Sequence, residues 1–242
     1  MDRVLHRNSA IVLAGVFLFA FWGFWPSYFS HPLDQATWRF HFHGLTLISW
    51  CVLMVTQAYL IRTNRRSIHK QVGKLSYVLA PLVVIATLNL VHFRLQEVEL
   101  TDFFLYALAL PIGLLLQFSF AYGLAIYYRS SPVIHARYMI CTAFVMIPPI
   151  FDRVMYYYLL PPERAQFLPQ VGGEAMYPLV TYTVSDAILV FLSIWDRRTR
   201  KGPPVFPVVL AVFIGFQALT FTVYRMPFWK SFAEWFLQLP LS

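Results

Sequence analysis

Charge is scarce in this chain. Asp, Glu, Lys and Arg make up only 12% of its 242 residues, about half the usual share in soluble domains. That shortage excludes an ordinary solvated surface around one core. Cysteine is nearly absent. Cys51 and Cys141 lie in separate apolar runs. This leaves no disulfide framework and no CxxC motif, and the two thiols read as small buried side chains. Glycine numbers only 10. There is no Gly-rich phosphate loop and no nucleophile elbow, so nucleotide-binding and serine-hydrolase classes lack their signatures. Acidic residues are outnumbered 11 to 19 by basic ones, for a net charge of +8. The basic residues sit in short loops between apolar segments, where they orient a protein and meet anionic lipid. The expected partners are therefore membrane lipids, not nucleic acid.

What the chain has in abundance is apolar surface. It is 59% hydrophobic and 18% aromatic, with a mean hydropathy of +0.59. A membrane-spanning helix needs about 20 mostly apolar residues. Stretches that qualify run from Ala10 to Phe29, His41 to Ile61, Val72 to Phe93, Asp102 to Tyr128, Arg137 to Leu160, Ala175 to Trp195 and Phe206 to Tyr224. The expectation is an all-α integral membrane bundle of about seven helices, forming one domain over residues 1–242. The arm MDRVLHRN precedes the first run with no small-residue cleavage site after it, as in an uncleaved signal anchor.

The tail from Pro227 to Leu239 is too short to span. It interleaves Phe228, Trp229, Phe232, Trp235 and Phe236 with Lys230, Glu234 and Gln238. That pattern predicts an amphipathic helix lying in the interface. Pro81 and Pro111 fall mid-span, and the tandem Pro148–Pro149 predicts a sharp kink in the fifth span.

Lys and Arg cluster in alternate connections. Arg3 and Arg7 precede the first span. Arg62, Arg65, Arg66, Lys70 and Lys74 follow the second, Arg129 and Arg137 follow the fourth, and Arg197, Arg198, Arg200 and Lys201 follow the sixth. The other connections are neutral or acidic, with Asp34, Glu97, Glu99, Asp102, Glu163 and Glu174. The positive-inside pattern then predicts a cytoplasmic N-terminus and an external C-terminus.

Ionisable residues within spans are costly and point to function by default. Here they are His43, His92, Asp152, Arg153 and Asp186, with Asn89, Gln57 and Gln217 as neutral companions. Asp152 lies about 22 Å along the fifth span at 1.5 Å per residue, in its outer third. Most of these residues gather toward the external leaflet, which suggests a polar pocket there. A buried Asp152–Arg153–Asp186 network that fixes helix packing accounts for part of the same set.

Two chemistries suit these residue types. Histidines on facing helices ligate haem iron. His43 and His92 form an outer set and His69 and His135 an inner one, the layout of a haem b electron conduit with a redox or membrane-protein partner. Alternatively, His41, His43, His92 and Asp152 are the ligand types of a zinc-dependent membrane hydrolase. Seven-span zinc hydrolases of the adiponectin-receptor and alkaline-ceramidase group carry a late HxxxH pair, and the seventh span here has no histidine. A third, non-enzymatic reading is a structural, lipid-binding or transport protein with a polar core.

The motifs His43–Gly44, Trp50, Gln57, HKxxGK from His69 to Lys74, HARYM from His135 to Met139, and Arg153 occur together. In this the chain resembles a bacterial family of multi-pass membrane proteins catalogued as a domain of unknown function. In that family a histidine-glycine, a histidine-arginine-x-x-glycine and a histidine-basic-x-Met open successive helices. Lys70 stands where the family pattern has arginine, and Ala136 falls within the later motif. The resemblance covers His43 to Arg153 and implies an α-helical bundle. The chain is also loosely similar to b-type cytochrome and ferric-reductase bundles, which implies haem.

Overall fold

The computed structural model describes residues 2–31, 37–96, 99–199 and 203–241. Asp34, Glu97, Arg200 and Lys201 lie outside them, as do the side chains of Arg3 and Arg7. The chain is almost wholly helical. In order come α1 (Asp2–Gly23), α2 (Trp38–Arg62), α3 (Arg66–Gly73), α4 (Ser76–Leu95), α5 (Asp102–Tyr127), α6 (Pro132–Phe144), α7 (Ile147–Val154), α8 (Pro178–Thr199), α9 (Val205–Val223) and α10 (Pro227–Leu237). Counting α3–α4 and α6–α7 as single crossings, six helices among the described residues are long and apolar enough to span a bilayer. The apolar part of α1 described with side chains, Asn8–Gly23, is shorter than a full span. Six full-length spans and one shorter apolar helix thus stand where seven spans are expected.

The first span ends sooner than its hydropathy implies. The α-helix stops at Gly23, and Trp25–Phe29 form a π-turn. Gly23 is where α1 meets the fifth span. A Cβ there would come within 3.0 Å of the Ile150 carbonyl oxygen and 3.3 Å of Val154. Only glycine lets the two backbones approach this closely.

The fifth span breaks just upstream of its tandem prolines. The α6 helix stops at Phe144, and α7 begins at Ile147 with Pro148 in its first turn. Proline has no N–H to give and a fixed φ, so it fits a helix's first turn and fails in its interior. Pro81 and Pro111, by contrast, lie inside α4 and α5, which continue through them.

The helices close a ring. The α2 helix lies between α1 and α4, α5 joins α4 to α9, α8 packs on α9 and α7, and α7 returns to α1. The α6 segment fills the interior against α5 and α9, which makes the fifth span the most buried of the six. One apolar core surrounds Trp50, Phe118, Phe144, Phe206 and Phe213. A second surrounds Phe104, Leu108, Trp229 and Phe236. Between α7 and α8 a hairpin pairs β1 (Gln170–Val171) with β2 (Glu174–Ala175). Its turn uses Gly172 and Gly173, both at positive φ, as a two-residue hairpin requires.

The tail forms α10, as its pattern predicts, and docks on α4 and α5. Trp229, Ala233 and Phe236 are buried, whereas Phe228 and Trp235 face away. The Trp229 indole N–H donates to the Leu105 carbonyl at 2.9 Å and fixes the helix in place.

Candidate functional site

Among the described residues, the connections after the second, fourth and sixth of the expected spans lie at one end of the bundle, here termed the basic face. Its joints are polar. Gln57 of α2 is buried beneath α3. With the amide turned so that both ends are satisfied, its Nε2 donates to the His69 carbonyl at 3.1 Å and to His69 Nδ1. Its Oε1 accepts from the Gly73 N–H at 3.0 Å. His135, in the first turn of α6, donates from Nδ1 to the Ala125 carbonyl of α5 at 2.8 Å. His135 lies near enough to His69 for their charges to interact. Two histidines from separate spans therefore lie at the same end of the bundle, each with Nδ1 occupied.

Those bonds set the tautomers. With Nδ1–H bonded to a carbonyl, His135 presents a bare Nε2 lone pair. His69 accepts at Nδ1 and so carries its proton on Nε2. This end of the bundle thus offers one free acceptor and one free donor. Behind it Tyr122 donates to Ser76 Oγ at 3.1 Å, and Trp50, Phe118 and Tyr122 pack ring to ring at 5.0–6.2 Å.

The basic face also holds a bond that sequence reasoning missed. Arg137 and Asp196 form a two-pronged ion pair at 2.8 and 3.0 Å, with both side chains buried. Arg137 also donates to the Pro203 carbonyl at 2.8 Å, and its guanidinium lies over Phe206. The fourth-to-fifth and sixth-to-seventh connections are thereby tied together. Arg137 reads from the sequence as an ordinary loop charge, and 59 positions separate it from Asp196.

At the opposite face the polar residues are spread out. His41 shares a hydrogen bond with the Tyr28 hydroxyl at 2.8 Å, and Gly44 leaves room for the same ring. His43 Nδ1 meets Thr87 Oγ1 of α4 at 3.3 Å. His92 is fully buried under α10, edge-on to Phe236 at 5.3 Å. Among the described residues no bond or ring contact joins His43 to His92, and no three His, Cys, Asp or Glu side chains gather as a metal site. The set His41, His43, His92 and Asp152 thus has no converged ligand geometry.

Asp152, Arg153 and Asp186 likewise form no ion pair with one another among the described residues. Asp186 accepts from Gln217 Nε2 at 3.0 Å. The Arg153 guanidinium lies 6.0 Å from the Phe24 ring centre. Asp152 Oδ1 is buried without a partner, as are the hydroxyls of Tyr106, Thr181 and Tyr182. Tyr106 and Tyr182 both pack on Phe221, at 6.3 and 5.7 Å, and both feel the Asp152 charge. This polar core involves α5 as well as α7 and α8. Tyr106 was not legible as a member, because a tyrosine in an apolar run reads as an interface residue.

A ring of apolar helices with costly polar groups kept inside defines an integral membrane protein. No family model matches this chain, and no curated protein or solved structure does.

Proposed function

We propose that this is a membrane electron-transfer protein that holds haem b at its basic face between His69 and His135. The observation that carries the reading is the placement of these two imidazoles, from separate spans, at one end of the bundle, each with Nδ1 already held. Iron-binding histidines characteristically have the second ring nitrogen hydrogen-bonded to a carbonyl or similar group, which orients the ring and bares the other nitrogen. His135 is in that state through Ala125. His69 reaches it if the Gln57 amide reverses, at the expense of the bonds to the Gly73 N–H and the His69 carbonyl, or about 1 kcal/mol each.

Lys70, Lys74 and Arg129 are exposed around the pair and suit the two carboxylates that haem b carries. Trp50, Phe118 and Tyr122 form an aromatic wall that keeps water from the bundle side. Bound there, the group supplies a one-electron couple. Gln57 and Ala125 orient the imidazoles, and the exposed cations admit a redox partner of opposite charge. The proposal places this face in the cytoplasm of a bacterial cell and α10 on the external side, following the positive-inside pattern.

A second reading, binding or transport through the polar core, is favoured by the unpartnered Asp152, Tyr106, Thr181 and Tyr182. One spectrum separates the two. Protein purified in mild detergent from haem-supplied cells is expected to show a Soret band that shifts on dithionite reduction. A colourless preparation that also fails to take up added haemin would discard the electron-transfer reading and leave the polar core as the functional feature.

A further inference from the structure

The fully buried His92 leaves both ring nitrogens without a hydrogen-bond partner. Three residues earlier on the same helix, Asn89 Oδ1 is buried and unpartnered too. Residues three apart share one helix face, with Cβ atoms about 5–6 Å apart. The other end of the Asn89 amide is in use, since Nδ2 donates to the Leu241 carbonyl at 2.7 Å beyond α10. Phe236 stands edge-on to the imidazole as the wall on the α10 side. Leu88, Val91, Leu95, Leu105 and Leu108 supply apolar surroundings.

Burying a polar atom without a partner costs about 1–3 kcal/mol. Three such atoms close together under one short helix make an expensive arrangement unless something satisfies them. A neutral imidazole needs one acceptor and one donor, and the amide oxygen needs a donor. No Lys, Arg, Asp or Glu side chain bonds to either residue among the described residues, so the site lacks the charge that a phosphate or ammonium head requires. A hydroxyl both donates and accepts, and a head carrying hydroxyls meets all three needs. The cover points to the rest of the ligand. The α10 helix turns Phe228 and Trp235 away from the bundle, as a helix resting in the interface does. A molecule entering beside it would come from the bilayer.

We infer that His92 and Asn89 bind the neutral, hydroxyl-bearing head of a membrane-dissolved amphiphile beneath α10. Head chemistry of this kind belongs both to diacylglycerols and to lipid-soluble hydroquinones. The site is independent of the haem reading, because it uses neither His69 nor His135.

The test titrates the full-length purified protein with dioctanoylglycerol, with a short-tailed hydroquinone and with trioctanoylglycerol, which has no hydroxyl, and reads saturable binding by calorimetry. One or both hydroxyl compounds are expected to bind at one per chain, and which of them does identifies the source. The triester is expected not to bind. His92→Leu and Asn89→Leu are each expected to weaken binding about tenfold, the size of one buried hydrogen bond. The ligand-free melting temperature of His92→Leu should equal or exceed the parent's, since it removes two unsatisfied polar atoms, whereas Asn89→Leu also gives up the bond to the Leu241 carbonyl and should melt slightly lower. Absence of saturable binding by either hydroxyl compound, or equal binding of the triester, would show that water alone fills the site and overturn the inference. Undiminished binding in both folded variants would overturn it as well.

Discussion

Replacing Arg137 by alanine is expected to lower stability by about 3–5 kcal/mol, the loss typical when one partner of a buried ion pair is removed. The reason is the charge left behind. Asp196 is only 8% exposed, and removing the guanidinium takes away the two-pronged partner that its buried carboxylate has in the parent. Asp196→Ala should cost a similar amount for the converse reason. Arg137→Lys keeps the charge but gives up the two-pronged geometry, and should fall between alanine and the parent. The double change Arg137→Met with Asp196→Leu removes both charges and should recover most of the loss. What remains lost should reflect the Pro203 carbonyl, which also relies on Arg137. Thermal unfolding in detergent, followed for all four variants, measures this cycle. A double variant whose loss equals the sum of the two alanine losses would mean that the pair does not act as a unit.

The second large effect concerns the cofactor. His135→Ala and His69→Ala are each expected to abolish the Soret band of the purified protein, because each removes one of the two nitrogens that would hold the iron. Gln57→Leu leaves both ligands in place but unties His69, and should weaken haem retention about 10–100-fold, as loss of a ligand-orienting partner does. His41→Ala is the control. That ring bonds Tyr28 at the other face, so the spectrum should be unchanged. Measured haem-to-protein ratios across the four variants check the set. A full ratio in either His69→Ala or His135→Ala would move the iron elsewhere in the bundle.

Much of this architecture is legible in the letters. Long apolar runs at spanning length give α2, α4, α5, α8 and α9 almost to their ends, because lipid leaves the backbone little choice but helix. The tail's alternation of aromatic and polar residues gives α10. Details that depend on packing are not legible. Hydropathy carries the first span to Phe29, whereas the α-helix stops at Gly23, where the backbone must approach Ile150. The tandem prolines announce a break in the fifth span, but only helix-end chemistry puts it at Val145 and Met146.

The site divides the same way. Grouping His69 with His135 follows from topology alone, since both open helices at the basic end. Gln57 was legible only as a neutral polar residue within a span and a member of the motif set, and its bonds to His69 and Gly73 depend on how α3 folds back over α2. The polar residues of the opposite end share a depth but not a place. His43 turns to Thr87, His92 lies beneath α10, and Asp152 joins Tyr106 and Tyr182. Shared depth is a property of position along a span, whereas convergence depends on helix rotation, which apolar patterns on all sides of a helix leave undetermined.

The measurement that bears most directly on the central claim is low-temperature electron paramagnetic resonance of the oxidised, purified protein, with its haem content determined by pyridine haemochrome. An iron held by His69 and His135 should give the low-spin signal of two imidazole ligands at one haem per chain. A high-spin signal, or less than a tenth of a haem per chain after haem-supplied expression and reconstitution, would contradict it.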